Sequence, residues 1–342
     1  MARRLLAVSL ACVFSLLGPP AEGADHDQAH DHGHDHAHDH DCASPARTSG
    51  RAEPRPLTAT EFAQMNAALR NHPGPIPATV TVPLWVHVLT DGQTGAPDAA
   101  VREQVNVLNR AYAGGYGGAD TGVRFALRGI TRTENRDWFR NPLGMEDPMK
   151  SGLRRGGSET LNLYVSQLSE LVLGYATYPN WYAGNPSQDG VVIDWRTLPG
   201  GALRNFSLGF TGVHEIGHWL GLVHTFENGC SEPGDSVDDT PFQATPTEGC
   251  PERRDSCTAP GEDPIHNFMD YAHDRCMNQF TAGQGLRMRR AWVTYRGGVA
   301  GAQTRSSMVS GLLGTQAGQA PIAPPRPYTG MAGSLFLPRG RG

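Results

Sequence analysis

The sequence has no surplus of positive charge. It carries 29 Lys and Arg against 34 Asp and Glu, a net charge of −5. With no basic surplus to hold a polyphosphate, the composition points away from nucleic acid as a partner. Apolar residues are scarce at 38%, whereas Gly (42) and Pro (26) are abundant, which fits a folded core flanked by unstructured segments. A chain of 342 residues makes one large domain or two small ones. No internal repeat is present, and beyond the N-terminus no apolar run is long enough to cross a membrane. The run from Leu5 to Leu17 follows Arg3 and Arg4 and is broken by Gly18-Pro19-Pro20, with small residues at Ala21 and Gly23. It is too short for a stable anchor. It predicts a cleavable secretory signal over residues 1–23, a secreted, extracellular protein, and no membrane attachment after cleavage.

A CxxC knuckle is also lacking. Of six cysteines, Cys12 leaves with the signal and Cys42 stands alone, while Cys230, Cys250, Cys257 and Cys276 cluster. Their spacing argues against a four-thiolate zinc site, and export permits disulfides, so two bonds are expected with three pairings open.

Two segments have composition but no core pattern. Residues 25–41 (DHDQAHDHGHDHAHDHD) alternate imidazole and carboxylate. They read as a solvated acidic tail that binds metal weakly, or in the sharper version as a tail that gathers metal for a site elsewhere. From residue 297 to 342, Gly, Ala, Ser and Pro dominate, as in a disordered tail. Residues 24–77 together form a His-rich segment and a pro-segment or linker, with one helix from Thr58 to Leu69 capped by Thr58 or Thr60. Cys42 lies in this stretch. It is either a latency switch that fills the open position of a catalytic zinc, or an unpaired thiol or a contact to another chain.

The folded domain is expected over residues 78–296. Thr79 to Leu89 alternates as a half-buried strand does, and Asp98 to Tyr112 places Val101, Val105, Leu108 and Tyr112 on one helical face. Further strands are read at Val123 to Ile130, Thr160 to Val165, Gly174 to Tyr178 and Gly190 to Ile193. Helical patterns between strands indicate an α/β arrangement with a mixed sheet.

Residues 214–224 read HEIGHWLGLVH. On a helix, His214 and His218 share a face and aim at one point, the bite that two zinc-bound imidazoles need. Glu215 flanks that point without ligating and is placed to act as general base on a zinc-bound water. Gly221 can adopt positive φ, end the helix and bring His224 back as third ligand. Downstream, NFMDYAHDRC (267–276) holds a methionine-turn candidate in Met269, and Tyr271 can reach toward the metal to stabilise an oxyanion. The rival reading is an exported metal-binding, zinc-buffering protein without protease activity. Glu215 argues against it, because storage needs no base.

HEIGHWLGLVHTF, GDSVDDTPFQ (234–243) and NFMDYAHDRCMNQFTAGQGLRM (267–288), with WVHVL and DGVVI upstream, resemble the pappalysin family of metzincins. The resemblance covers about residues 78–296. It implies a metzincin fold, in which a twisted mixed sheet and zinc helix lie above an irregular, disulfide-linked lower subdomain. It also implies a secreted zinc endopeptidase, made with a pro-segment, that acts on protein or peptide substrates. Carried over residue by residue, it makes His214, His218 and His224 the zinc ligands, Glu215 the base, Met269 the turn and Tyr271 the transition-state helper. The disulfides become Cys230–Cys257 and Cys250–Cys276. A calcium ion is the further cofactor implied, with Asp235, Asp238, Asp239 and Thr240 as hard oxygen donors. An extended substrate would lie beside an upper edge strand, here Gly174 to Tyr178.

Overall fold

The computed structural model describes residues 54–169 and 171–297. The expected signal, the His-rich stretch, Cys42 and the tail from residue 298 lie outside the described residues. In chain order the elements are α1 (Ala59–Arg70), β1 (Val80–Thr90), α2 (Asp98–Tyr112), β2 (Val123–Glu134), α3 (Arg136–Arg140), α4 (Glu146–Leu153), β3 (Leu161–Ser166), β4 (Gly174–Ala176), β5 (Val191–Asp194), α5 (Phe210–Trp219) and α6 (Ala282–Ala291). Among the described residues no helix is long and apolar enough to cross a membrane.

The five strands form one mixed sheet in the order β2-β1-β3-β5-β4. β2, β1, β3 and β5 run parallel, and β4 pairs antiparallel with β5 at the sheet's edge. One face of the sheet (Val82, Leu84, Val86, Leu163, Val191 and Ile193 among others) packs on α2 and α5 in the main core. The opposite face carries Leu89, Tyr164, Tyr175 and Val192, covered by Phe139 of α3 and Met149 of α4. This two-sided covering corrects the half-buried reading of β1. The alternation holds as far as Trp85, after which Val86 to Leu89 are all buried, because α3 and α4 close the second face.

β2 runs four residues past its expected end at Ile130, paired with β1 as far as Glu134. β4 is shorter than read, ending at Ala176, and a 3-10 turn over Pro179–Trp181 follows two residues later. The short helices α3 and α4 were not foreseen.

Helix α1 starts where its capping box requires. The Thr58 hydroxyl accepts from the Glu61 amide, and Glu61 Oε2 accepts from the Thr58 amide. Its face of Phe62, Met65 and Leu69 packs with Tyr178, Val223 and Ala291. A helix read as part of the pro-segment is thus built into the fold.

Below α5, residues 222–281 contain no α-helix or strand, but turns, the 3-10 turn Asp274–Cys276 and one isolated bridge between Asn267 and Gln279. Bonds Cys230–Cys257 and Cys250–Cys276, with Cα separations of 5.5 and 5.8 Å, tie this stretch together.

Candidate metal centre

Helix α5 carries His214 and His218 one turn apart. The turn after it is made by Gly221 at φ 90°, a conformation that costs other residues energy. The chain reverses there and returns His224. One ligand atom from each of the three histidines lies within 4.8 Å of the others. Among the described residues no other group of three His, Cys, Asp or Glu side chains meets that distance. His214 and His218 are fully buried and His224 is half-buried.

The hydrogen bonds behind the rings decide which nitrogen faces inward. His214 Nδ1 sits 2.7 Å from the Phe268 carbonyl and His218 Nδ1 sits 2.9 Å from the Leu222 carbonyl. A carbonyl only accepts, so both Nδ1 atoms carry the proton and both Nε2 atoms present a lone pair. Those two Nε2 atoms are 3.0 Å apart. Two lone pairs at that distance repel unless a cation lies between them. Tetrahedral coordination with bonds of about 2.0–2.1 Å places neighbouring nitrogens roughly 3.3 Å apart, so the residues fit a divalent metal ion held by neutral imidazoles.

The turn at Met269 packs against the helix that carries the cluster. Met269 is fully buried, and its sulfur would stand 2.5 Å from a Cβ at Gly217. Only glycine at that place in HEIGH allows this approach. The turn is fixed by Asn267, whose Oδ1 accepts from the Met269 amide at 2.9 Å and whose amide pairs with that of Gln284 on α6. Phe268, between them, supplies the carbonyl that orients His214. Tyr271 follows the turn, its ring 4.9 Å from that of His224 and 5.7 Å from that of His214. Phe226 stacks on His224 at 4.6 Å.

Glu215 is buried on α5 against the edge strand. A Cβ at Gly174 would fall 2.6 Å from its Cγ and 2.8 Å from Oε1, so the glycine that opens β4 makes room for this carboxylate. Sequence reasoning took Gly174 as a strand residue only. It also missed Gly217, Asn267, the Phe268 carbonyl and Tyr178. A glycine inside the helical HEIGH signature was the available sign for one of these; the rest depend on long-range contacts.

The acidic residues are less gathered. Asp238 and Asp239 are exposed, and Asp239 Oδ2 accepts from the Gly283 amide at the start of α6. Asp235 and Thr240 are buried. Burial pushes the Asp235 carboxyl up to about 7, opposed by the hydrogen bond from Val237 and the charge of Arg287.

The sheet, the helix with its histidine cluster, the turn at Met269 and the disulfide-linked lower half together define a metalloendopeptidase of the metzincin type. The Peptidase_M43 family model, described as pregnancy-associated plasma protein-A, matches residues 161–293. An extracellular metalloprotease of Arthroderma benhamiae is 42% identical over 250 residues, covering 70% of this chain and 82% of that protein. The chain belongs to the pappalysin family. An extracellular metalloprotease of Verticillium alfalfae is 45% identical over 229 residues, 64% of this chain and 78% of its own. Among solved structures, mature mirolysin of Tannerella forsythia in complex with a cleaved peptide matches with TM-score 0.53 and 33% identity, over 62% of this chain and 90% of that one. A promirolysin variant from the same organism matches with TM-score 0.60 and 30% identity, over 69% and 88%.

Proposed function

We propose that this protein is a secreted zinc endopeptidase in which His214, His218 and His224 hold the ion and Glu215 is the general base. The observation that carries the reading is the placement of Glu215, a buried carboxylate beside the histidine cluster and against the edge strand. Bound zinc would supply a Lewis acid that lowers the pKa of a water to about 7 and polarises the scissile carbonyl. Glu215 takes the proton from the attacking water on a carboxylate oxygen and returns it to the leaving amine. Tyr271 donates its hydroxyl to the negative charge that develops on the carbonyl oxygen.

β4 pairs with β5 on one side, and among the described residues no strand covers the other. An extended peptide can add there through backbone hydrogen bonds, which read no side chains and suit a substrate of varied sequence. The rival metal-buffering role gains nothing from a buried glutamate at this position.

Export follows from the signal over residues 1–23 and agrees with relatives named as extracellular metalloproteases. A pro-segment within residues 24–77, with Cys42 as its latency thiol, belongs to the same reading, and one solved relative is a pro-form. The expected calcium set of Asp235, Asp238, Asp239 and Thr240 is left out of this reading, because among the described residues those carboxylates form no metal-sized group.

The test is casein cleavage by the secreted, matured protein, by the same protein with a zinc chelator, and by Glu215→Ala with its zinc content assayed. Wild type should cut while the other two do not, and Glu215→Ala should hold one zinc. A Glu215→Ala protein that still cuts would remove Glu215 from the mechanism.

A further inference from the structure

Tyr178 follows the edge strand and lies buried against α5. Its hydroxyl oxygen stands 3.0 Å from His218 Nδ1, the nitrogen that also faces the Leu222 carbonyl at 2.9 Å. The ring N–H of His218 therefore lies between two oxygens. A hydroxyl that accepts from Nδ1 favours the tautomer with the lone pair on Nε2, where a metal binds. A proton in the opposite sense, from tyrosine to Nδ1, would place hydrogen on Nε2 and close that position.

The tyrosine is itself held from outside. Its ring meets the Trp181 indole edge-on at 5.2 Å, and Trp181 Nε1 donates to Glu61 Oε1 of α1 at 2.9 Å. Met65 and Leu69 of α1 pack in the same apolar cluster as Tyr178. The helix is tied down at two further places, by Asn66 Nδ2 donating to Ser236 Oγ at 2.9 Å and, just ahead of the helix, by the ion pair of Arg55 with buried Glu146.

From this chain of contacts we infer that Tyr178, backed by helix α1 through Trp181 and Met65, is a positioning residue that holds the orientation of His218 for metal binding, as a second acceptor beside the Leu222 carbonyl that sets its tautomer. The inference rests on the zinc reading of the histidine cluster. Its consequence is that α1 works as part of the metal-binding domain. Removing the outer partner of a ligating histidine costs about 10–100-fold in metal affinity.

The experiment measures zinc loss from the full chain into an excess of chelator, alongside the thermal midpoint, for wild type, Tyr178→Phe, Met65→Ala and Phe139→Leu. Tyr178→Phe keeps the ring and its packing and removes only the hydroxyl. Phe139→Leu loosens the core on the far face of the sheet, away from the site, as a control for general destabilisation. Tyr178→Phe should release zinc at least about tenfold faster at a nearly unchanged midpoint. Met65→Ala should show a smaller acceleration, and it stands in if Tyr178→Phe does not fold. Phe139→Leu should lower the midpoint and leave zinc release unchanged. Release from Tyr178→Phe at the wild-type rate overturns the inference and leaves the zinc reading intact, as does equal acceleration in the Phe139→Leu control. A wild-type protein that binds no zinc overturns both.

Discussion

Replacing Arg296 with Met tests how the end of the described chain holds helix α5. The Arg296 side chain is fully buried, its guanidinium 3.4 Å above the Trp219 ring. Its Nε donates to the Trp219 carbonyl at 3.0 Å, and NH1 and NH2 reach the two oxygens of Asp189 at 3.1 and 3.2 Å. Burial pushes the Arg296 pKa down, and the charge of Asp189 pushes it back up. Arg296→Met fills much of the volume but leaves Asp189, itself buried, with two neutral donors: Trp219 Nε1 at 3.1 Å and the Thr177 hydroxyl at 3.0 Å.

Removing one member of a buried ion pair costs about 3–5 kcal/mol, most of it from the charge left behind. In a domain of this size each kcal/mol moves the thermal midpoint by roughly 2–4 °C, so a fall of about 6–20 °C is expected. Asp189→Asn should be costly for the same reason. The double variant Arg296→Met/Asp189→Asn, which strands no charge, should cost less than the sum of the two by about 2 kcal/mol or more. The assay is thermal unfolding followed by near-UV circular dichroism at pH 7. A single variant within about 1 kcal/mol of wild type, or a strictly additive double variant, would refute the argument.

Gly217→Ala should place a methyl group against the sulfur of buried Met269. Overpacking of this kind costs about 1–3 kcal/mol, so denaturant unfolding should show that loss together with weakened casein cleavage; an unchanged midpoint would mean that Met269 yields freely. Buried His87, between Thr131 and Asn162 and stacked on Tyr164, has its pKa held below the ordinary 6.5 by burial. The unfolded chain then binds the extra proton first, so this contribution to stability is present above about pH 6.5 and is lost as pH falls toward the folded value, with a slope of at most about 1.4 kcal/mol per pH unit. The difference between the urea-unfolding curves of wild type and His87→Gln across pH 5–8 isolates that slope, and parallel curves would count against it.

What could be read from the sequence was what local spacing encodes. The helical offset of His214 and His218, the turn glycine at Gly221 and the apolar face of α2 are properties of neighbouring residues, and each is where its pattern placed it. The alternation of β1 was legible up to Trp85 and then misled, because full burial of Val86 to Leu89 depends on α3 and α4, two short helices with little periodicity of their own. The supporting contacts of the histidine cluster were illegible for a related reason. Tyr178 reaches His218 across 40 residues, and Arg296 reaches Asp189 across 107. Such partners carry no spacing signature, and a lone tyrosine or arginine looks like any other. The linkage has a physical logic nonetheless. A metal site needs rings held in one tautomer and one direction. In this fold the Phe268 carbonyl orients His214, Leu222 and Tyr178 bracket the Nδ1 proton of His218, and Arg296 braces the residue next to His218 on the same helix. The stretch read as pro-segment joins that support through α1. That packing is a long-range contact, so the composition change near Ala78 could not reveal it.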